Sequence, residues 1–351
     1  MTAAKNNATR RQSIKYRNTK RKRIKNTILL LLLLSALLGA GIGAIYLLRS
    51  GNIFTQLNEP YTASREFSGK LADSDNLRAD GFAKNLCVVV SDVPMDGVSL
   101  GENQKGLLLD LDDKEVLYSK QALQKVYPAS ITKIMTAMLA LKYGNMNDVV
   151  TITQENLNLE EGSQVCGFWA GDQLTMDQLL HCLLVYSGND AAAAIAEHIG
   201  GSTEGFVEMM NSYAKELGCT GTHFTNPHGL QDENHYTTPY DIYLMLKEAL
   251  NYPEFTQITQ SGSYTVEYTH ADGSSASTTL LATDHYLTGE ATPPKNVTIL
   301  GGKTGTTDNA GNCLALLSQN AYGKPYISIV MGASTKDELY TQMSSLLQNI
   351  N

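Results

Sequence analysis

The stretch PASITKIMTA, residues 128–137, places Ser130 and Lys133 three residues apart at a predicted helix start. Residues with this spacing lie on one face of a helix, so the hydroxyl and the amine are neighbours. A serine at a helix start is commonly only a cap, and burying a lysine disfavours its charged form. The pair is therefore either a local capping feature or a chemical unit, and the rest of the chain decides between the two.

Two further short motifs follow this pair in a fixed order. Ser187-Gly188-Asn189 comes 57 residues after Ser130, between two predicted helices, and Lys303-Thr304-Gly305 comes 116 residues later, at the predicted end of a strand. Each motif is weak alone, since S-x-x-K recurs at Ser212 and S-x-N recurs elsewhere. The other S-x-N copies begin at Ser50, Ser74 and Ser318. Only the set of Ser130–Lys133, Ser187–Asn189 and Lys303–Gly305 places its three motifs, in chain order, at a helix start, a helix–helix connection and a strand.

This ordered trio resembles the active-site set of the low-molecular-mass penicillin-binding proteins that are D-alanyl-D-alanine carboxypeptidases. The phrases SGNDAAAAIAEHIGG, TNPHGLQDENHYTTPYDI and GGKTGTTDNAGNCL add to the likeness, which covers roughly residues 83–345. It implies the penicillin-recognising serine-transferase α/β fold, an antiparallel sheet flanked by helices with an inserted all-helical lobe. It also implies a serine carboxypeptidase that removes the terminal D-alanine of peptidoglycan stem peptides and binds β-lactam antibiotics covalently.

The resemblance assigns catalytic roles to Ser130, Lys133 and Ser187. Ser130 is the expected nucleophile, and a serine hydroxyl becomes reactive only when a base takes its proton. Lys133 is the expected base, because burial and a neighbouring cation can lower a lysine pKa far enough to leave the amine neutral. Ser187 is expected to relay a proton to the leaving D-alanine amine.

The expected substrate-binding residues are Asn189, Lys303, Thr304, Gly305 and Thr306. Asn189 would dock the peptide and hold Lys133, and Lys303 would supply the cation. The N–H groups of Ser130 and Thr306 would form an oxyanion hole, and Thr304 and Gly305 would pair with the substrate as an added strand. Carboxypeptidases of this family commonly bind the substrate carboxylate with an arginine, yet no arginine follows Arg78. We expect Lys303 and the two threonine hydroxyls to replace it, with Lys324 as a weaker candidate.

No cofactor or metal is expected. The closest histidines are His223, His228 and His235, and their spacings of five and seven do not fit a short helical metal motif. The chain has five cysteines without a C-x-x-C spacing, which favours buried, inert thiols.

Two other functions remain open at this stage. A class A β-lactamase needs a glutamate, typically in E-x-x-L-N, and the nearest phrase, Glu248-Ala249-Leu250-Asn251, is one residue short. A sensor or wall-binding module would acylate without turnover, and would be expected to carry a cytoplasmic signalling domain. Single-turnover against multiple-turnover kinetics on a D-Ala-D-Ala peptide and a penicillin separates the three.

Charge and hydropathy divide the chain. Residues 1–50 hold 11 Lys and Arg and no acidic residue, whereas the remainder carries 16 basic against 35 acidic residues, which argues against nucleic-acid binding. Residues 28–48 form an uncharged run of 21 residues, long enough to span a bilayer. The basic side remains cytoplasmic, so the acidic part lies outside.

The expected layout is a cytoplasmic tail (1–26), a transmembrane signal anchor (27–48), an extracellular stem (49–80) and a catalytic domain (81–351). Family members often carry a further C-terminal domain with its own anchor helix. Because the sequence ends at Asn351, soon after the last predicted helix, we expect the N-terminal span to provide the single-pass membrane tether.

Within the catalytic domain the pattern predicts strands at both ends and helices between them. A hairpin turns at Asp112-Asp113-Lys114 and a helix begins near Ala129. A capping box joins Thr175 and Gln178. Further predicted helices are DAAAAIAEHIGG, TEGFVEMMNSYAKELG and KDELYTQMSSLLQNI, and further predicted strands, all after Pro253, are SYTVEYTH, NVTILGGKTG, GNCLALLSQ and YISIVMGAS.

Overall fold

The computed structural model describes Lys25 and residues 85–350. Its named strands are β1 (Lys105–Asp110), β2 (Glu115–Lys120), β3 (Val149–Thr151), β4 (Gln173–Thr175), β5 (Ser263–Thr269), β6 (Ser275–Leu281), β7 (Thr298–Thr307), β8 (Gly311–Gln319) and β9 (Pro325–Ala333). Its α-helices are α1 (Lys133–Tyr143), α2 (Met176–His181), α3 (Asn189–Gly200), α4 (Thr203–Glu216), α5 (Pro239–Ala249), α6 (Pro253–Thr259), α7 (His285–Thr288) and α8 (Lys336–Leu347).

Five strands form the main antiparallel sheet in the order β2-β1-β9-β8-β7. Leu107 and Leu109 of β1 pack into one buried cluster and Leu108 into another, and all three are fully buried. Side chains alternate between the faces of a strand, so this pattern shows that both faces of the sheet are covered. Helix α5 packs on β1 and β9 on one face, and α8 packs on β8 and β9. Strand β7 is left at an edge.

The helices begin where the sequence supplies caps. The predicted capping box is confirmed: the Thr175 hydroxyl accepts the Gln178 N–H, and the Gln178 side chain accepts the Thr175 N–H. Ser202 and Thr335 cap α4 and α8, their hydroxyls accepting the N–H groups of Gly205 and Glu338. Helix α3 ends at Gly201, whose φ of 72° is in the left-handed region that glycine tolerates.

The inserted segment between β2 and β7 is not all-helical, so that prediction is wrong. It carries a second antiparallel sheet, in the order β3-β4-β5-β6. Strands β3 and β4 have three residues each, too short to show an alternating pattern in sequence. Strand β6 reads SASTTLL, a largely polar run that gains its partner only through the hairpin with β5.

The segment after Pro253 also differs from the expected return to strands. Proline stands at the first turn of α6, where its missing N–H costs nothing and its fixed φ suits a helix. The strands begin only at Ser263. Helix α5 was not predicted either, although Thr238 caps it and Pro239 follows at its first turn.

The predicted tail, span and stem lie outside the described residues, apart from Lys25. Over residues 85–350, no helix is long and apolar enough to cross a bilayer.

Candidate active site

Ser130 lies on a 3₁₀ turn, Ala129–Thr132, that leads directly into α1. Ala129 has a φ of 47°, a left-handed conformation that costs energy for a residue with a side chain. The turn is held from outside, because Gly229 packs its backbone against the Ala129 carbonyl with no room for a Cβ. The candidate nucleophile therefore sits on a constrained turn and not at a regular helix start.

Lys133 is fully buried beneath Ser130. Its Nζ lies 2.9 Å from Ser130 Oγ, 2.6 Å from Asn189 Oδ1 and 2.7 Å from the His228 carbonyl oxygen. Burial, and secondarily the charge of Lys303, hold the pKa of Lys133 well below its ordinary value. A neutral amine has two N–H donors and one lone pair. The two carbonyl oxygens can only accept, so the lone pair is left for the Ser130 hydroxyl proton.

Ser187 lies at the C-terminal end of a π-helical segment, Cys182–Tyr186, with a φ of 71°. This is a second left-handed residue with a side chain at the same site. Lys303 Nζ donates to Ser187 Oγ at 2.9 Å and to the Thr304 carbonyl at 3.0 Å. Burial lowers the pKa of Lys303 to about 7, while Asp284 acts in the opposite direction.

Strand β7 continues four residues beyond Lys303, so the expectation that this lysine ends a strand is wrong. Thr304, Gly305 and Thr306 are ladder residues paired with β8. A Cβ on Gly305 would lie 2.9 Å from the Pro128 oxygen and 3.0 Å from the Ser130 nitrogen. Glycine thus allows the strand to approach the nucleophile turn, while the outer edge of β7 is free to accept an added strand.

A cleft of about 570 Å³ joins these groups. Six of the eight predicted site residues line it: Ser130, Ser187, Asn189, Thr304, Gly305 and Thr306. Lys133 and Lys303 lie buried against the same serines. One wall is the Glu160–Gln164 loop, and Asn312 and the first turn of α8 also line the cleft.

The structure adds polar residues that the sequence did not indicate. Lys336 is exposed at the N-terminus of α8 and lines the cleft. Among the described residues it is the only lysine in the lining of this cleft. The Thr283 and Thr304 hydroxyls lie 2.5 Å apart. Asp284, the next residue, is 6 % exposed, and its Oδ1 accepts the Tyr340 hydroxyl at 3.2 Å. All come from connections or helix ends that carry no motif, so only the fold brings them to the site.

Lys324 is not at the site, and this candidate is wrong. Its Nζ is 2.5 Å from carboxylate oxygens of both Asp110 and Asp113. Lys324 precedes β9 in the turn after β8, whereas the Thr306 end of β7 pairs with the start of β8. The nine-residue length of β8, roughly 30 Å at 3.3 Å per residue, separates the two ends.

Two of the histidines near the site are neutral, His235 being buried and His228 half-buried. Burial lowers the pKa of His228 to about 3 and that of His235 to about 4. His235 Nε2 lies 2.8 Å from Thr132 Oγ1, and its Nδ1 accepts the Thr225 N–H at 3.0 Å. His228 lines the cleft and offers its carbonyl to Lys133. These contacts fit a structural role, and the described residues contain no group of His, Cys, Asp and Glu side chains that could hold a metal.

Hydrogen bonds of Asp190 and Asn189 join residues 164–167, at the end of the cleft wall, to the Ser187 motif. Its carboxylate accepts the N–H groups of Cys166 at 3.0 Å and Gly167 at 3.1 Å, while the Asn189 N–H donates to the Gln164 carbonyl. The Cys166 sulfur packs against Gly188 so closely that a Cβ would not fit there. The five cysteines are free thiols, and four of them are buried.

Comparison with known proteins agrees with this geometry. The family model of the S11 peptidases, described as D-alanyl-D-alanine carboxypeptidase, matches residues 101–335. The chain therefore belongs to the S11 family of D-alanyl-D-alanine carboxypeptidases, a low-molecular-mass group of penicillin-binding proteins.

Individual relatives support the same assignment. D-alanyl-D-alanine carboxypeptidase DacF of Bacillus subtilis is 37 % identical over 251 residues, which is 70 % of this chain and 61 % of the relative. DacA of Haemophilus influenzae is 32 % identical over 256 residues, with the same two shares. The chain thus matches about three fifths of the length of these curated relatives.

Solved structures give the same fold. The Streptomyces K15 DD-transpeptidase is similar with a TM-score of 0.65 and 26 % identity, covering 74 % of this chain and 98 % of that one. The D-alanyl-D-alanine carboxypeptidase of Mycobacterium tuberculosis H37Rv has a TM-score of 0.63 and 28 % identity, covering 73 % and 92 %.

Proposed function

We propose that this protein is a serine D-alanyl-D-alanine carboxypeptidase that removes the terminal D-alanine from peptidoglycan stem peptides. One observation carries the proposal. Lys133 Nζ is fully buried 2.9 Å from Ser130 Oγ, with its two other contacts made to oxygens that only accept. That arrangement leaves a lone pair directed at a serine hydroxyl on the floor of an open cleft, which is the geometry of an activated nucleophile.

In the acylation step, Lys133 takes the Ser130 proton while Oγ attacks the carbonyl carbon of the penultimate D-alanine. The developing oxyanion is stabilised by the N–H groups of Ser130 and Thr306, which the close approach of β7 brings together. Ser187, polarised by the Lys303 ammonium, gives its hydroxyl proton to the leaving amine and takes up the proton that Lys133 removed from Ser130, so Lys133 is neutral again. The C–N bond breaks, D-alanine departs, and the rest of the peptide remains as an ester on Ser130.

In the second step, a water molecule hydrolyses that ester. Lys133 takes a proton from the water as it attacks, and the proton returns to Ser130 Oγ when the ester bond breaks. A β-lactam follows the first step because its ring amide occupies the place of the D-Ala-D-Ala bond. Its amine stays attached to the acyl group, so covalent inhibition follows.

The substrate carboxylate rests on Lys336 with the hydroxyls of Thr304 and Thr306. Lys336 takes the place expected for Lys303, which is buried with its Nζ engaged by Ser187 and the Thr304 carbonyl. Lys336 opens α8, where the helix dipole disfavours a cation, so the helix itself gains nothing from its charge. Its side chain lines the same cleft as Thr306 and Asn312. A cation placed against its own helix dipole and facing the substrate cleft suits an anionic ligand.

We place the catalytic domain, residues 81–351, outside the cell on a stem (49–80), with residues 27–48 as a single-pass signal anchor and 1–26 as a cytoplasmic tail. The 21-residue uncharged run and the basic residues before it support this topology. A division of the chain into units at Ala79 and Asp80 supports the domain boundary. The acidic catalytic region supports a peptide substrate and not a nucleic acid.

The purified full chain, incubated with diacetyl-L-Lys-D-Ala-D-Ala, is expected to release free D-alanine over many turnovers. Ser130→Ala should lose this activity by several orders of magnitude, because the groups act as a unit. It should also lose labelling by a fluorescent penicillin.

Ser212→Ala is the matched control, since this serine begins the second S-x-x-K copy on an exposed face of α4. It should keep both activities. Labelling that survives Ser130→Ala would disprove the nucleophile assignment, and labelling without D-alanine release would favour a sensor.

A further inference from the structure

The sole tryptophan of the sequence, Trp169, is 67 % exposed. One face of its indole stacks on the His270 ring, with the ring centroids 4.9 Å apart and the planes at 18°. Within the described residues, its Nε1–H makes no hydrogen bond. The indole is thus stacked on one face and open to solvent on the other.

The platform formed by Trp169 and His270 is fixed from below by Asp172, which is 1 % exposed. Its Oδ2 accepts the main-chain N–H of Trp169 at 2.8 Å, and its Oδ1 lies 2.7 Å from His270 Nδ1. Tyr268 packs edge-on against His270, and Phe168 packs edge-on against Tyr268. The indole is therefore ordered before any ligand arrives, so binding loses little conformational entropy there.

The platform is continuous with the cleft wall. Residues Glu160–Gln164 line the cleft, and Gly167 is tied to Asp190 beside Asn189. Trp169 follows Gly167 by two residues, so their Cα atoms are at most about 7 Å apart. A ligand that extends out of the cleft along this wall meets the indole.

We propose that Trp169 and His270 form a subsite for a neutral sugar, the glycan strand that carries the stem peptide. This inference rests on the proposed function, since it extends that substrate. A pyranose presents a flat C–H face that suits an indole, and its hydroxyl and acetamido groups can use the unpaired Nε1–H. The nearby exposed side chains Glu160, Glu161 and Asp272 are acidic, which disfavours anionic lipids and other polyanions on this surface.

The sole tryptophan gives a direct assay. The full chain in detergent is titrated with the β-1,4-linked N-acetylglucosamine tetramer while Trp emission is recorded. We expect a saturable change in emission intensity or wavelength, and a weaker apparent affinity in His270→Ala. The absence of any change up to millimolar tetramer, or a change only with vesicles of anionic phospholipid, would overturn the proposal.

A second arm measures kcat/KM for D-alanine release from a free pentapeptide and from the same peptide on its disaccharide. Trp169→Ala should lower the value for the glycopeptide about three- to tenfold, as expected for one lost aromatic stacking contact, and leave the free peptide unchanged. Tyr322→Ala removes a 91 % exposed aromatic side chain from the β8–β9 turn and should change neither value. Equal losses on both substrates in Trp169→Ala would overturn the subsite.

The two proposals fail separately. If neither substrate releases D-alanine, the carboxypeptidase assignment fails, whereas the emission titration still decides whether the sugar binds. If D-alanine is released but the tetramer leaves the emission unchanged, only the sugar subsite fails.

Discussion

Lys133 and Lys303 are residues whose burial lowers the stability of the fold but suits their chemistry. Both are fully buried, and over residues 85–350 no carboxylate lies within ion-pair distance of either ammonium nitrogen. Burying an unpaired charge is costly, so the amines respond with lowered pKa values. Each nitrogen instead contacts a serine oxygen at 2.9 Å. The fold thus places two amines of lowered pKa beside two hydroxyls, as proton transfer requires.

The role of Lys303 in proton transfer can be tested by changing Asp284 and measuring how activity depends on pH. The mechanism needs Lys303 protonated, so the alkaline limb of kcat/KM reports the pKa of Lys303, which is about 7. The Asp284 charge raises that pKa, so Asp284→Asn should lower it and move the alkaline limb to lower pH. The measurement is the pH profile of kcat/KM for a D-Ala-D-Ala peptide.

The control for this experiment is Tyr340→Phe, which removes a hydrogen bond to Asp284 and keeps the carboxylate. It should leave the alkaline limb closer to the wild-type position. Asparagine remains a good helix cap, so the cap on the Tyr286 N–H at the start of α7 is kept in the Asp284 variant. An alkaline limb that does not move in Asp284→Asn would show that this carboxylate does not govern Lys303.

Lys336 can be tested as the carboxylate-binding cation. Hydrogen bonds to charged groups are worth about 1.5–3 kcal/mol, and exposure places this contact at the low end, so Lys336→Ala should lower kcat/KM about tenfold. Lys336→Arg should keep most of the activity, because guanidinium pairs well with carboxylate. The assay compares D-Ala-D-Ala peptides with free and amidated C-termini.

The amidated peptide lacks the charge, so Lys336→Ala should change its turnover little. Lys324→Ala, which removes a lysine paired with Asp110 far from the cleft, should leave both substrates unaffected. Equal losses for the two peptides in Lys336→Ala would assign this lysine to the shape of the cleft.

At the scale of elements, much of the fold could be predicted from local sequence. The β1–β2 hairpin turns where Asp112 and Asp113 donate their N–H groups to the Asp110 side chain, and β8 has its predicted bounds. These features have strong local causes, namely turn residues, caps and long apolar runs. Strands β3, β4 and β6 lack them: β3 and β4 are short and β4 pairs with the distant β5, whereas the polar β6 is ordered by its hairpin with β5.

The residues of the candidate site also fall into those that the sequence predicts and those that it does not. Its motif residues could be predicted because catalysis requires particular side chains at a helix start, a loop and a strand. Lys336, Asp284 and the Glu160–Gln164 wall could not, because their positions depend on how α8, α7 and a long loop pack around β7. Gly229 is a further example, since its importance appears only when it meets the Ala129 carbonyl.

The approach of β7 to the nucleophile turn can be tested with Gly305→Ala. The added methyl would lie 2.9 to 3.1 Å from the Pro128 oxygen and the nitrogens of Ser130 and Ile131, so strand and turn must separate. A displacement of about 1 Å at reacting groups can cost roughly a hundredfold in rate. We expect a loss of that order in penicillin acylation, measured by stopped-flow, with little change in melting temperature.

Gly323→Ala is the comparison for a glycine far from the site. Nothing lies within 4 Å of its added methyl, but its φ of 79° makes alanine strained. This variant should lose stability and keep its acylation rate. Unchanged acylation in Gly305→Ala would show that an added methyl on β7 does not displace the nucleophile turn.

At the scale of the whole molecule, charge is distributed in two blocks. The first 50 residues carry 11 basic and no acidic residues, and the remainder carries a net charge of −19. A basic segment beside an uncharged run orients a membrane anchor with its basic side in the cytoplasm. In the proposed topology, anionic lipid headgroups would repel the acidic catalytic domain, which favours a spacer between anchor and cleft.

This arrangement predicts the outcome of proteolysis on intact cells. The full chain should fractionate with membranes, and protease added outside should cut preferentially within residues 49–80. The released fragment should begin near Asp80, where the second unit of the chain starts, and should still label with fluorescent penicillin because Ser130 and its partners all lie beyond that point. A protected full chain would place the catalytic domain inside the cell, and a soluble cellular form that begins near residue 50 would mean that the span is a cleaved signal.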